Sequence, residues 1–116
     1  MNSLPQGQGL ADFNEALLKA IDVTLVALTG PSVLASLYQH LKEFYDISRE
    51  DLPNHLDKLL DVLSGIFGTR GLRTISRAIA VELYFRLKIS ILKNNYTLQQ
   101  YVEDAKKQLG LSPASD

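Results

Sequence analysis

The chain has 116 residues, of which 46% are hydrophobic and 22% are charged, and its formal net charge at pH 7 is −1. These values are typical of one globular domain, and they exclude a disordered charged tail protein and argue against generic nucleic-acid binding. The sequence contains no cysteine, which excludes disulfides, thiolate metal sites and a cysteine nucleophile and suits a reducing cytosol.

The first residues do not have the pattern of a secretory signal, because 1–9 contain neither a basic cluster nor an apolar run. The longest uncharged segment, 23–39, is interrupted at Gly30-Pro31, and each piece is shorter than the roughly 20 apolar residues that span a bilayer. We therefore expect a cytoplasmic protein without a membrane span. Its single domain would cover 10–110, between flexible tails at 1–9 and 111–116.

Apolar residues recur at helical spacing in five segments, near 12–28, 31–45, 53–67, 70–90 and 98–109. Asp12 and Glu15 have capping-box spacing and predict the start of the first helix. Gly30-Pro31 separates the first helix from the second, since glycine ends helices and proline suits a first turn.

The later helix boundaries follow from glycine, asparagine and a second capping box. Gly65 and Gly68 are expected to close the third helix through left-handed conformations. Asn94-Asn95 breaks the fourth helix, and Thr97 with Gln100 opens the fifth. No segment alternates with the period of a strand, so we predict an all-α fold, either a compact five-helix bundle or an orthogonal helical domain.

The sequence has no pattern that predicts an enzyme. His40 and His55 lack the further ligands of a zinc site, and His40 is expected to form a surface pair with Glu43. Gly68 and Gly71 flank an arginine at the predicted start of a helix, which leaves open a weak anion site besides a simple helix end. We expect no catalytic residue, no metal and no cofactor.

Charge is separated along the chain. Residues 1–62 contain nine acids and four bases, a net charge of −5, whereas residues 63–93 contain six bases and one acid, a net charge of +5. The near-neutral total is therefore the cancellation of two unlike halves.

A basic stripe is predicted on the fourth helix, opposite the expected core residues Ile75, Ile79, Leu83 and Leu87. We define this stripe as Arg70, Arg73, Arg77, Val81, Tyr84 and Lys88; its four bases lie within about 60° of one another on a helical wheel. The stripe could pack internally against Asp57 and Asp61, form a homodimer or partner-protein surface, or bind nucleic acid or an anionic membrane surface. Basic residues that frame an aromatic and an aliphatic side chain favour a contact surface.

The central part of the chain resembles a family of small archaeal signal-output domains, the Nitrososphaera output domain type. The resemblance covers about residues 31–89 and is carried by the segments 32–41, 45–53, 63–68 and 79–87. Its marks are a Tyr-Asp-Ile turn at 45–47, a Leu-Pro start at 52–53 and an Ile-Phe-Gly helix end at 66–68. The resemblance implies a cytosolic, archaeal helical module that acts by protein contact, and it indicates no particular ligand or catalytic residue.

Together these patterns predict a non-enzymatic signalling or adaptor domain that acts by protein–protein contact, as a homodimer or with a partner protein. The alternative is a small nucleic-acid-associated regulator that binds through the basic residues of the fourth helix.

Overall fold

The computed structural model of the protein describes residues 6–91 and 93–111. Four α-helices and one short 3-10 helix make up this part of the chain: α1 (Gln6–Thr29), α2 (Pro31–Tyr45), the 3-10 helix (Arg49–Asn54), α3 (Leu56–Leu87) and α4 (Leu98–Gln108). No strand occurs among the described residues, so the predicted all-α fold is confirmed. No helix in this part of the chain has the length and apolarity needed to cross a membrane.

Gly68 divides α3 into two helices, which correspond to the predicted third and fourth. The third begins at Leu56 and not at 53, because Pro53 lies inside the 3-10 helix, and the fourth ends at Leu87 and not at 90, where Lys88 adopts a left-handed conformation. The Gly68 φ of 76° and ψ of 175° lie in a region that is essentially restricted to glycine. We call residues 56–67 α3N and residues 69–87 α3C. Gly65 stays helical, so the expectation that it also adopts a left-handed conformation is wrong; one non-helical residue is enough to redirect the chain.

Of the two predicted capping boxes, the one at α1 is wrong and the one at α4 is confirmed. α1 begins at Gln6 and not near Asp12, so Asp12 lies inside the helix and caps nothing. At α4 the capping box is present: Gln100 N donates to Thr97 Oγ1 at 3.1 Å, and Thr97 N donates to Gln100 Oε1 at 2.9 Å.

The early start of α1 has a tertiary origin. A Cβ at Gly9 would lie 3.1 Å from Leu111 Cδ2, so the first turns of α1 are in close contact with the chain after α4. Residues 6–9, predicted to belong to the N-terminal tail, are helical. Residues 1–5 and 112–116, the rest of the two predicted tails, lie outside the described residues.

The core is built around α1, which contacts α2, the 3-10 helix and α3. Its residues at helical spacing are almost fully buried; they include Phe13, Leu17, Ile21 and Leu25. The predicted core residues of α3C are confirmed at Ile75, Ile79 and Leu83, whereas Leu87 is only partly buried. α4 packs on the other side of α3C, so that helix is covered on two flanks.

Candidate protein-contact surfaces

The predicted basic stripe does not form one surface. Arg70, Val81 and Lys88 are exposed on α3C, as expected. Tyr84 is only 2% exposed, so its predicted place on the surface is wrong. Arg73 and Arg77 line a separate cleft beside residues 94–96.

Tyr84 is buried because α4 covers its side of α3C. Its hydroxyl lies 2.7 Å from Asp104 Oδ2 and 2.8 Å from the Tyr101 carbonyl oxygen, and it donates to these acceptors. Burial first, and then the hydrogen bond to Asp104, raise the pKa of Tyr84. A helical-wheel prediction assumes that only one side of a helix is buried. It therefore placed Tyr84 on the surface, although α4 buries that side of α3C as well.

Arg77 is held by the segment that leads into α4. Its Nη1 donates to the Lys93 carbonyl oxygen and to the Tyr101 hydroxyl, both at 3.2 Å. Asp57 and Asp61 are exposed, and in the described residues neither forms an ion pair with the basic stripe. The internal pairing considered for the stripe is therefore absent from this part of the structure.

A groove of about 610 Å³ runs between α2 and α3N. Its α2 wall is formed by side chains that recur about every four residues, and its α3N wall has the same spacing; the lining includes Val33, Leu37, His40, Tyr45, Val62 and Ile66. The two helices pack on α1 far more than on each other, which leaves this groove open. We call it the α2–α3N groove.

Large apolar side chains stand exposed at the edge of the α2–α3N groove. Phe44 is 69% exposed and Ile66 is 53% exposed. The His40 ring lies 4.6 Å from the Phe44 ring, so His40 contributes to this aromatic edge. Its predicted pairing with Glu43 is absent, because Glu43 accepts instead from Gln39 Nε2 at 3.2 Å.

The α2–α3N groove has an acidic flank. Asp61 lines it, and Asp57 lies one turn earlier on α3N, on the same side of the helix. Sequence patterns did not identify this groove, since it arises from the angle between two helices. Phe44 and Ile66 could nevertheless have indicated an exposed apolar surface, because the position of each in its helix lies outside the buried face.

A second exposed apolar surface lies on α3C. Val81 is 48% exposed and Phe85, one turn later, is 78% exposed. Arg70 lies on the same side near the start of α3C, and Lys88, which is exposed and has a left-handed conformation, directly follows its last residue. We call these four residues the outer patch; it retains three residues of the predicted stripe and adds Phe85.

One polar network has a structural role. Asp22 on α1 accepts from the Tyr38 hydroxyl on α2, and it accepts from Arg49 Nη2 at 2.8 Å and Nε at 3.0 Å. Both carboxylate oxygens are thus occupied, and burial followed by the hydrogen bond to Asp22 raises the pKa of Tyr38. The network joins α1, α2 and the 3-10 helix and leaves no free base or nucleophile.

The described residues contain no group of three or more His, Cys, Asp or Glu side chains placed to hold a metal ion. His40 and His55 are both exposed; His40 lies on α2 and His55 lies between the 3-10 helix and α3. Comparisons with known protein families, curated proteins and solved structures gave no match.

Proposed function

We propose that this protein is a non-enzymatic interaction domain that self-associates, with the outer patch of one copy bound in the α2–α3N groove of another. The observation that supports this most directly is that one chain carries two exposed apolar surfaces, one with acidic and one with basic residues at its edge. Exposed apolar surfaces rimmed by charged residues are typical of protein contact sites.

The apolar parts of the two surfaces are complementary in kind. The groove is concave and lined mainly by aliphatic and aromatic side chains. The outer patch is a convex helix face with Phe85 as its most exposed apolar residue. Docking an amphipathic helix face in a groove between helices is a common mode of recognition.

Charge complementarity favours a second copy of this chain as the partner that binds in the α2–α3N groove. Asp61 lines the groove, Asp57 lies one turn earlier, and one base, Lys58, lies over the groove residue Tyr45. Arg70 and Lys88 flank the outer patch, whose residues include no acid. The same asymmetry extends over the chain, since residues 1–62 carry −5 and residues 63–93 carry +5. Opposite charges at the rim speed association and orient it, while the apolar centre supplies affinity.

The proposed contact joins two different surfaces, so it is head-to-tail. Such a contact closes into a ring if the rotation between copies allows it and otherwise extends as a filament. We further propose a role in signal output, which is supported by the resemblance of residues 31–89 to archaeal output domains.

The positions of the basic residues argue against nucleic-acid binding through the basic stripe. Arg73 and Arg77 line the cleft near residues 94–96, while Arg70 and Lys88 remain at opposite ends of α3C. Those two lie roughly 27 Å apart along the helix at 1.5 Å per residue. Arg70, Arg73 and Arg77 lie one turn apart, but between Arg77 and Lys88 this side of α3C carries Val81 and no base, so the bases do not form a continuous line over the length of the helix.

Sedimentation equilibrium of the wild type, Ile66→Ser and Phe85→Ser tests the proposed contact. We expect concentration-dependent association of the wild type and a monomer for each variant. Both substitutions are at exposed positions, where the stability change is usually within about 0.5 kcal/mol. Val23→Ser is the matched control, since Val23 is 45% exposed on α1 and outside both surfaces. A wild type that stays monomeric, or a variant that associates like the wild type, would contradict the proposal.

A further inference from the structure

A second concave site lies between α3C and the turn before α4. This cleft has a volume of about 540 Å³, within the range of about 300–1,000 Å³ that is usual for small-molecule sites. Its lining includes Arg73, Arg77, Asn94, Asn95 and Tyr96. Both charged side chains among its lining residues are arginines, so the cleft favours an anion.

Arg77 is already oriented toward the cleft. Its Nη1 is held by the Lys93 carbonyl oxygen and the Tyr101 hydroxyl, each at 3.2 Å. Its Nε and Nη2 have no hydrogen-bond partner among the described residues, which leaves three N–H donors for a ligand. A guanidinium held in this way loses little further freedom when it binds an oxyanion.

Arg73 is placed one helical turn before Arg77 and is exposed. In the part of the chain that the structure describes, it forms no ion pair. Two arginines one turn apart, with one of them fixed, can bind two oxygens of the same phosphate or carboxylate group.

A smaller and more enclosed cavity of about 230 Å³ adjoins the cleft and shares Arg73, Asn95 and Tyr96 with it. Its deeper wall is apolar and includes Leu60, Leu72 and Leu98. The combined site therefore has a cationic mouth and an apolar end, with an aromatic ring and a carboxamide between them.

We propose that this site binds a small anion with a flat aromatic body, of the class of a nucleoside monophosphate. The phosphate would accept from Arg73 and Arg77, while the base would enter the smaller cavity beside Tyr96. Asn95 could donate to or accept from the polar edge of the base. The site uses none of the residues of the outer patch or the α2–α3N groove and does not depend on self-association.

Isothermal titration of the purified protein with AMP, adenosine and inorganic phosphate tests this site. We expect AMP to bind more tightly than either adenosine or phosphate, because only AMP has both a phosphate for the arginines and a base for the smaller cavity. Arg73→Ala should weaken AMP at least about tenfold, as for loss of a charge-assisted hydrogen bond. Arg86→Ala is the control, with the same loss of charge at an exposed position of α3C that lies outside the cleft lining and outside the outer patch, and it should leave the affinity nearly unchanged.

Three outcomes would overturn the proposal. Absence of heat at millimolar AMP would mean that the site is not used by such a ligand. Equal weakening by Arg86→Ala and Arg73→Ala would mean that only the general charge of α3C attracts AMP. Phosphate that binds as tightly as AMP would show an anion site with no place for an aromatic body.

Discussion

The Tyr84 hydroxyl lies 2.7 Å from Asp104 Oδ2, and this hydrogen bond joins the interior of α3C to α4. Asp104 Oδ2 also accepts from Gln108 Nε2 at 3.0 Å, and the same Nε2 donates to the Ser90 carbonyl oxygen at 2.9 Å. A polar network around one buried ring thus fixes α4 against α3C. It also removes Tyr84 from any surface that a partner could reach.

We expect Tyr84→Phe to lower the free energy of unfolding by about 1–3 kcal/mol, because the substitution leaves Asp104 and the Tyr101 carbonyl short of a donor. Urea denaturation followed by circular dichroism measures the change. Tyr45→Phe is the control, since Tyr45 is exposed and its hydroxyl donates no hydrogen bond among the described residues. Equal stability of the two variants would show that the network contributes nothing.

The raised pKa of Tyr84 predicts a specific loss of stability in alkali. The folded protein holds the hydroxyl proton more tightly than the unfolded chain does, through burial and the bond to Asp104. This contribution is complete below the ordinary tyrosine pKa of about 10 and is lost as the pH rises above it. Denaturation at a series of pH values should therefore give a shallower alkaline decline for Tyr84→Phe than for the wild type. Parallel declines would contradict the assignment.

The two glycines near the α3 break should respond oppositely to alanine. Gly68→Ala is expected to cost about 1–3 kcal/mol, because alanine strains at this φ and ψ. Gly65 is helical and a Cβ there meets nothing within 4 Å, so Gly65→Ala should stabilise the protein by about 0.4–1 kcal/mol. Thermal denaturation of the two variants measures both effects. Melting temperatures that shift in the same direction would show that the break in α3 is not set by Gly68.

Ile79→Ala should destabilise the protein by about 2–5 kcal/mol, the usual range for deleting a large buried aliphatic side chain. Ile79 is fully buried, whereas Val81 on the same helix is half exposed. Val81→Ala should therefore stay within about 0.5 kcal/mol of the wild type. A larger effect at Val81 than at Ile79 would reverse the assignment of the buried face.

Local signals predicted the starts of α2 and α4 but not the start of the third predicted helix, since Pro53 lies inside the 3-10 helix and α3 begins at Leu56. α2 covers Pro31–Tyr45 as predicted, because Gly30 and Pro31 fix its start without help from other segments. The α4 start at Thr97 is equally self-contained. The start of α1 is not, because its first turns are in contact with Leu111, which is about a hundred residues away in the sequence.

The candidate surfaces were predicted only in part, because they depend on how helices are arranged. Arg70, Val81 and Lys88 are exposed as the helical wheel indicated, but Tyr84 is covered by α4. The α2–α3N groove could not be predicted from the periodicity of either helix. It exists because both helices pack on α1 and diverge from each other.

Association through an acidic groove and a basic patch should depend on salt. Screening at high ionic strength weakens the rim charges while the apolar centre is retained. We therefore expect the dissociation constant of the wild type to rise between low and moderate salt without loss of the assembly. Fluorescence-detected sedimentation at several salt concentrations measures this dependence. Tighter association at higher salt would indicate a contact without the proposed charge complementarity.

A mixing experiment tests the head-to-tail contact most directly. Ile66→Ser retains an intact outer patch and Phe85→Ser retains an intact α2–α3N groove, so an equimolar mixture has one complete contact available per pair. Sedimentation equilibrium should give a monomer for each variant alone and a species of two chains, one of each variant, for the mixture. A mixture that stays monomeric while both variants are folded, or a single variant that associates like the wild type, would contradict the proposed contact.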